Sequence, residues 1–355
     1  MQRLKVHKHA PKALLPWVKG GQKMRAYASF VRPDRPAPAM HTSPTLRRQP
    51  RATLSASLTF IAAALALACT QARADATLDK IKQRGKLSVG IDGASPPFGV
   101  LDPATGKTGG YQTELAADIA RRLGVPLETV PVTASTRVQF LQSGKVDLLI
   151  ANIQWTQERS EILSFAPTPY DLIGGGALVA KASGIKRWED LRGKVACVSQ
   201  GSNFAKPLAE SYGAVVKGLR GIPESLLALK GGTCAASVHI QPALYEKLTG
   251  PNAAEWKDFE LGTQDQLIPS PTVVWTRRGE ADTQAFVDKA IQDWHRTGFL
   301  LKVARASGVP DTWIAERHER ALKGQFDRAP YDFAVYAAAQ ADAQATQAAA
   351  KGAKP

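Results

Sequence analysis

Cysteine and histidine are scarce in this chain of 355 residues, which has three of the first and six of the second. That excludes a disulfide-dense scaffold and a cysteine-built zinc fold. His7, His9 and His41 fall in the first 74 residues. His239, His295 and His318 stand alone, without metal-ligand spacing, so neither a metal nor any other cofactor is expected. The apolar run Leu54 to Ala68 is too short and too alanine-rich for a spanning helix. Acidic residues are missing from the first 74 positions, where Asp34 stands against 13 lysines and arginines. The rest of the chain has 33 basic and 30 acidic residues, a net +3, so the formal charge of +15 belongs mainly to that opening segment. No basic cluster interleaved with aromatics follows, which excludes nucleic acid as a partner. No Gly-x-Ser-x-Gly is present, and Gly174-Gly175-Gly176 has no Lys-Ser/Thr after it, so neither a hydrolase elbow nor a phosphate loop is indicated. The glycine run instead suits close passage of backbone.

What the opening segment does contain is a secretory signal. Arg47, Arg48 and Arg51 precede the apolar run, and Ala72-Arg73-Ala74 forms a small-x-small cleavage site. Residues 1–74 are therefore expected to be leader and signal peptide, with the true start at Met40 and cleavage after Ala74. Arg47-Arg48 fits a twin-arginine signal poorly, and Cys69 is a weak match to a lipidated cysteine. The exported chain keeps Cys197 and Cys234, both in strand-like apolar runs. Export permits a disulfide; two separate buried thiols are the preferred expectation.

From Thr77 onward short apolar strands alternate with amphipathic helices. A helix closed by Gly85 leads to the strand Leu87–Asp92. A turn-rich stretch then leads to a helix in which Leu115, Ile119 and Leu123 recur at four-residue spacing before Gly124. The strand Pro126–Val132, a helix over Arg137–Gln142 and a strand from Val146 to Ile153 follow. The pattern restarts with Leu178, a helical Trp188–Leu191, the strand Val195–Ser199, a helix to Tyr212, the strand Val215-Val216, the helix Pro223–Lys230 and the strand Cys234–Val238. An extended run from Pro269 to Trp275 precedes two helices, Asp282–Arg296 and Asp311–Lys323. The Ala/Gln-rich tail, 336–355, is assigned no function. Such alternation implies an α/β protein with largely parallel sheets, and the length suits two domains.

The stretch from Val146 to Asp171 is the most informative. Its apolar run ends in Asn152, Gln154 and Trp155 and delivers Thr156-Gln157-Glu158-Arg159, a capped helical turn carrying one arginine. Ligands of open α/β sheets bind at the carboxyl ends of strands, where a guanidinium can grip a carboxylate with two hydrogen bonds. Trp155 is expected to be exposed, serving as an apolar lid or as core packing.

Four segments carry a resemblance. They are Lys86–Asp92 with Pro96-Pro97-Phe98; Gly109–Ala120; Leu141–Asp147 through Arg159 to Tyr170; and Trp188–Val195 through Gln200-Gly201-Ser202. Together they resemble the family 3 extracellular solute-binding proteins, the polar amino-acid receptors of bacterial ABC importers. The resemblance implies a two-lobe periplasmic-binding-protein type II fold, each lobe a mostly parallel sheet flanked by helices, with a two-strand hinge. Lobe 1 would comprise 77–176 plus 272–330, and lobe 2 would comprise 177–271. It further implies a monomeric periplasmic receptor that closes on a small ligand and docks on an ABC permease in the inner membrane. By family pattern, Arg159 holds the ligand's carboxylate, Asn152 to Gln154 line the same side, and Ser202 and Asn203 meet the carboxylate from a helix N-terminus in lobe 2.

Two positions depart from that family. His239 stands where an aspartate usually pairs with the α-ammonium, and Ser95 replaces an aromatic, although Asp92 stays and could supply negative charge. Arg137, in Thr136-Arg137, resembles the motif that meets a side-chain carboxylate in receptors for acidic amino acids. Two arginines need a ligand rich in carboxylate, so an acidic or polar amino acid or a dicarboxylate is expected. An exported dehydratase-like enzyme on the same fold, with Asp92 or His239 as proton donor, is the alternative.

Overall fold

The computed structural model describes residues 76–329 and 331. The leader, its cleavage site near Ala74, Met40 and the tail 336–355 lie outside the described residues.

The first lobe begins with α1 (Ala76–Arg84), ended by Gly85 at φ 71°. Next come β1 (Leu87–Ile91) and a small three-stranded sheet of β2 (Ala94–Ser95), β3 (Gly99–Leu101) and β4 (Thr108–Gly109). Then follow α2 (Tyr111–Leu123), β5 (Leu127–Pro131), α3 (Arg137–Gln142), β6 (Leu148–Leu149), α4 (Gln157–Ile162) and β7 (Ser164–Phe165). The chain crosses into the second lobe along β8 (Asp171–Ala180). There it forms β9 (Val195–Ser199), α5 (Ala205–Glu210), β10 (Val215–Leu219), α6 (Ile222–Lys230), β11 (Ala236–Ile240), α7 (Gln241–Thr249) and β12 (Phe259–Leu261). It returns along β13 (Leu267–Thr272) to β14 (Trp275–Thr276) and ends in α8 (Ala281–Thr297), α9 (Phe299–Ser307) and α10 (Thr312–Ala321).

The first sheet has the order β5-β1-β6-β14-β7 and the second β10-β9-β11-β8-β12, with β13 also paired to β8. Each is parallel on one side and antiparallel on the other. The central strands β1 and β11 are buried along their whole length, as expected of strands covered on both faces. The antiparallel pair β8 and β13, in register at Asp171 with Thr272, joins the two lobes.

Several expectations need correction. The run from Val146 to Ile153 is buried throughout, yet only Leu148–Leu149 forms a ladder; Asn152 at φ 51° turns the chain out of the strand, a conformation asparagine tolerates. Residues 188–191 form a short 3₁₀ turn. The small sheet, α7, β12 and α9 add to the expected elements, and two sheets that are each half antiparallel replace mostly parallel ones. Trp155 is buried, not exposed, with its ring 6.2 Å from Phe165 and 5.5 Å from Tyr331. The glycine run lies in β8 as close passage requires. A Cβ on Gly174 would meet Gln266 at 2.5 Å, one on Gly175 Phe204 at 3.0 Å, and one on Gly176 Gln241 at 3.0 Å.

Cys197 and Cys234 are joined in a disulfide, with Cα atoms 5.9 Å apart, where separate thiols were expected. Cys197 lies in β9, and Cys234 precedes β11, which pairs with β9. Strand adjacency, invisible in the linear pattern, brings them into range. The bond closes a loop across a sequence separation of 37. Replacing both cysteines by alanine is expected to cost about 3–4 kcal/mol on the chain-entropy relation, read as a lower urea midpoint.

Candidate functional site

A cleft of about 440 Å³, open at its mouth, lies between the lobes. It is built from the ends of strands. Asp92 follows β1 and Ser95 closes β2; Ala134 and Arg137 come from the turn after β5 and the start of α3; Asn152 and Gln154 follow β6. The second lobe faces them with Ser199 at the end of β9, the turn Ser202 to Phe204, Ile222 at the start of α6, and His239 and Ile240 at the end of β11. All but Ser95 lie at or just beyond carboxyl ends of strands of the two main sheets, where open α/β sheets place ligands.

Eight of the nine expected site residues line this cleft: Asp92, Ser95, Arg137, Asn152, Gln154, Ser202, Asn203 and His239. Arg159 does not. Thr156 caps α4 by accepting from the Arg159 N–H. The guanidinium donates to the main-chain carbonyl of Gln154 at 3.0 Å, which sets it just behind the lining. Burial and the neighbouring charge of Arg137 bring its pKa down to about 9. Arg137 is 7% exposed and donates to the carbonyl of Ala151 at 3.0 Å. Burial lowers its pKa while the charge of Asp92 supports it. Asp92 in turn is raised by burial and held down by Arg137. Each guanidinium thus bonds a main-chain carbonyl rather than a carboxylate.

Gln154 ties this site to the crossing strands. Its amide donates to the carbonyls of Ile173 in β8 and Ile268 in β13, while its Oε1 accepts from Asn203 Nδ2 at 2.8 Å across the cleft. Ile268 has φ 38°, at the irregularity where β13 breaks register with β8. A β-branched residue at positive φ is strained and persists where its surroundings hold it. One N–H of Asn203 is thus taken by Gln154, while its second N–H and its Oδ1 are not used in that bond. The α5 helix starts only at Ala205 and has six residues, so Ser202 and Asn203 stand in the preceding turn instead of on a helix N-terminus. Ser202 Oγ accepts from the N–H of Phe204.

His239 is 4% exposed and its Nε2 has no partner. Burial lowers its pKa to about 3, so it is neutral at pH 7. Asn152 donates from Nδ2 to Ser95 Oγ at 3.3 Å, leaving its Oδ1 unpartnered. Sequence reasoning missed Ala134, Ser199, Phe204, Ile222 and Ile240. The positions of Ser199, Ile222 and Ile240 at strand and helix ends were the available signal. Among the described residues, no group of three or more metal-ligating side chains gathers, and no helix is long and apolar enough to cross a membrane.

Two α/β lobes on a pair of crossing strands, with strand ends converging on one cleft, define a type II periplasmic binding protein. The family description "bacterial extracellular solute-binding proteins, family 3" matches residues 87–306, and the chain belongs to that family. It is 29% identical over 227 residues to the L-cystine-binding protein TcyJ of Escherichia coli (strain K12), covering 63% of this chain and 82% of that one. It is 27% identical over 259 residues to the L-glutamate/L-aspartate-binding protein of Pseudomonas aeruginosa, covering 70% and 84%. The crystal structure of a cysteine-binding protein from Campylobacter jejuni is similar with a TM-score of 0.60 at 28% identity, covering 66% of this chain and 95% of that one.

Replacing Gln154 by alanine removes its bonds to the carbonyls of Ile173 and Ile268, the second of which keeps Ser270 Oγ as a donor, and removes the cross-cleft bond. A loss of about 2–3 kcal/mol is expected in chemical denaturation. At the start of β8, Asp171 is 4% exposed, and its Oδ2 has no partner. Burial raises its pKa to about 8 from 3.8. The folded state then holds a proton that the unfolded state has lost, so this group's stabilising balance, intact below pH 4, is lost as pH rises towards 8. The stability gap between Asp171→Asn and wild type should widen in the variant's favour by on the order of 1 kcal/mol per pH unit across that window, measured by urea titration at each pH.

Proposed function

We propose that this chain is the receptor of an ABC importer and captures a small carboxylated ligand, an acidic or polar amino acid or a dicarboxylate, by closing its lobes. The observation that carries this reading is the pair of desolvated guanidiniums, Arg137 on the cleft wall and Arg159 just behind it, each bonded only to a main-chain carbonyl. Two close positive charges in a partly dry site repel each other, at a cost of several kcal/mol that an anion offsets. Asp92 answers one of them; a ligand carboxylate answers the other.

Closure would move residues 77–176 plus 272–330 against 177–271. Ligand would first meet Arg159 and Arg137, with Asn152 and Gln154 beside them, and Ser202 and Asn203 would complete its bonds from lobe 2. A ligand stabilises the closed form only by contacts it gains there. The closed monomer would then dock on a permease in the inner membrane. The Cys197–Cys234 disulfide supports export to an oxidising compartment, the periplasm, under the leader at 1–74. The family's binding proteins support a role without catalysis.

Arg159→Ala is expected to weaken capture of any carboxylated ligand by at least 100-fold in calorimetry, since a charge-assisted bidentate contact is lost. An unchanged affinity would remove the proposal's basis.

A further inference from the structure

Resting on that reading of the cleft as a carboxylate receptor, but not on the ligands named for it, we propose that its ligand carries a neutral oxygen, hydroxyl or oxo, where an amino acid carries its α-ammonium: a 2-hydroxy or 2-oxo acid with an apolar tail. Three observations converge. First, the second lobe brings no carboxylate to the cleft. Its wall consists of Ser199, Ser202, Asn203, Phe204, Ile222, His239 and Ile240, none of them negative. The sole carboxylate in the lining is Asp92, already facing Arg137. An ammonium would have to share that group with a guanidinium, leaving an excess positive charge in a poorly solvated space. A neutral oxygen leaves Arg137 with Asp92 and Arg159 with the ligand carboxylate, and the charges balance.

Second, two buried polar atoms at the cleft have no partner within the protein. Asn152 Oδ1 can only accept, and His239 Nε2 belongs to an uncharged imidazole that can present either N–H or a lone pair. A hydroxyl can donate to Asn152 Oδ1 and meet either form of His239, whereas an oxo group can only accept from a His239 N–H. Leaving such atoms unpaired costs about 1–3 kcal/mol each. Third, Phe204, Ile222 and Ile240 give the second lobe an apolar surface at the site. That surface suits a hydrocarbon tail better than the second carboxylate of an acidic amino acid. The acidic amino acid also balances charge by count, but its ammonium would still compete for Asp92.

Matched carbon skeletons test this directly. Calorimetry on the wild-type protein compares L-leucine with its 2-oxo and 2-hydroxy acids, and L-glutamate with 2-oxoglutarate and 2-hydroxyglutarate. The oxygen-bearing member of the leucine set should bind at least 10-fold tighter than the amino acid, and tighter than the glutamate-skeleton acids. His239→Asp should reverse the preference within each set. An amino acid that binds as tightly as or tighter than its oxygen analogue overturns the inference; so does a glutamate-skeleton preference. Where binding still collapses in Arg159→Ala, the carboxylate-receptor reading survives that failure. If no member of either set binds, the inference falls, and the carboxylate-receptor reading falls with it only if no other carboxylated solute binds in a way that Arg159→Ala abolishes. Should His239→Asp fail to fold, the wild-type ranking alone decides.

Discussion

One amide, that of Gln154, ties the two lobes to both crossing strands. Its nitrogen holds a carbonyl in each crossing strand, its side-chain oxygen receives Asn203 from the opposite lobe, and its main-chain oxygen receives Arg159. A bridge to Thr272 and the bond from Trp155 N–H to the Pro271 carbonyl fasten the same segment to β13. In a buried setting a hydrogen-bond network of this kind is stiff when complete and costly when broken, because each orphaned group loses water as well as its partner. The strained backbone of Ile268 is held at this point. The geometry of the arginines and the geometry of the hinge are thus one problem.

The charge arrangement follows from the same constraint. With Gln154 accepting the Arg159 guanidinium, that cation is placed without a carboxylate, and Arg137 is placed likewise by Ala151. Main-chain carbonyls orient a guanidinium but neutralise none of its charge. Asp92 relieves only part of the resulting repulsion. On the proposed reading, a site built this way stays receptive to an anion, whereas two ordinary salt bridges would have closed it off.

Much of this was legible in the linear chain. The α3 bounds, the whole of β9 and the helix from Pro223 to Lys230, one residue short of its observed start, follow from apolar periodicity and from glycine and proline punctuation, which act locally. The resemblance to family 3 receptors singled out the eight cleft residues, and all of them but Ser95 stand at strand ends of the two main sheets. What was not legible depends on separations that periodicity cannot carry. Gln154 and Ile268 meet across 114 positions, and nothing in a glutamine's neighbours announces a partner so remote. The disulfide required knowing that β9 and β11 are adjacent. The helix α7 went unassigned, although Pro242 stands in its first turn, where proline is at home. Of the two readings of Trp155, lid or core packing, the second holds, since Phe165 and Tyr331 pack against its ring.

On the proposed closure mechanism, the bond from Asn203 to Gln154 has a further consequence. It is made between protein groups alone, so it lowers the free energy of the closed form whatever the cleft contains. Gly201, at φ 83°, presses its neighbourhood against Ala134, whose carbonyl would lie 2.9 Å from any Cβ added there. Both contacts are polar or small, with little apolar area to drive closure by themselves. Closing contacts of that size stabilise a state by about one hydrogen bond's net worth, roughly 1 kcal/mol. That is enough to shift a population several-fold but far from enough to fix it. The remaining preference for the closed form must come from the ligand, bridging Arg137 and Arg159 on one wall to the uncharged second lobe on the other. Affinity in such a device is therefore set by how well the ligand completes the charge balance, while the glutamine–asparagine bond sets how little of its binding energy is spent on bringing the lobes together.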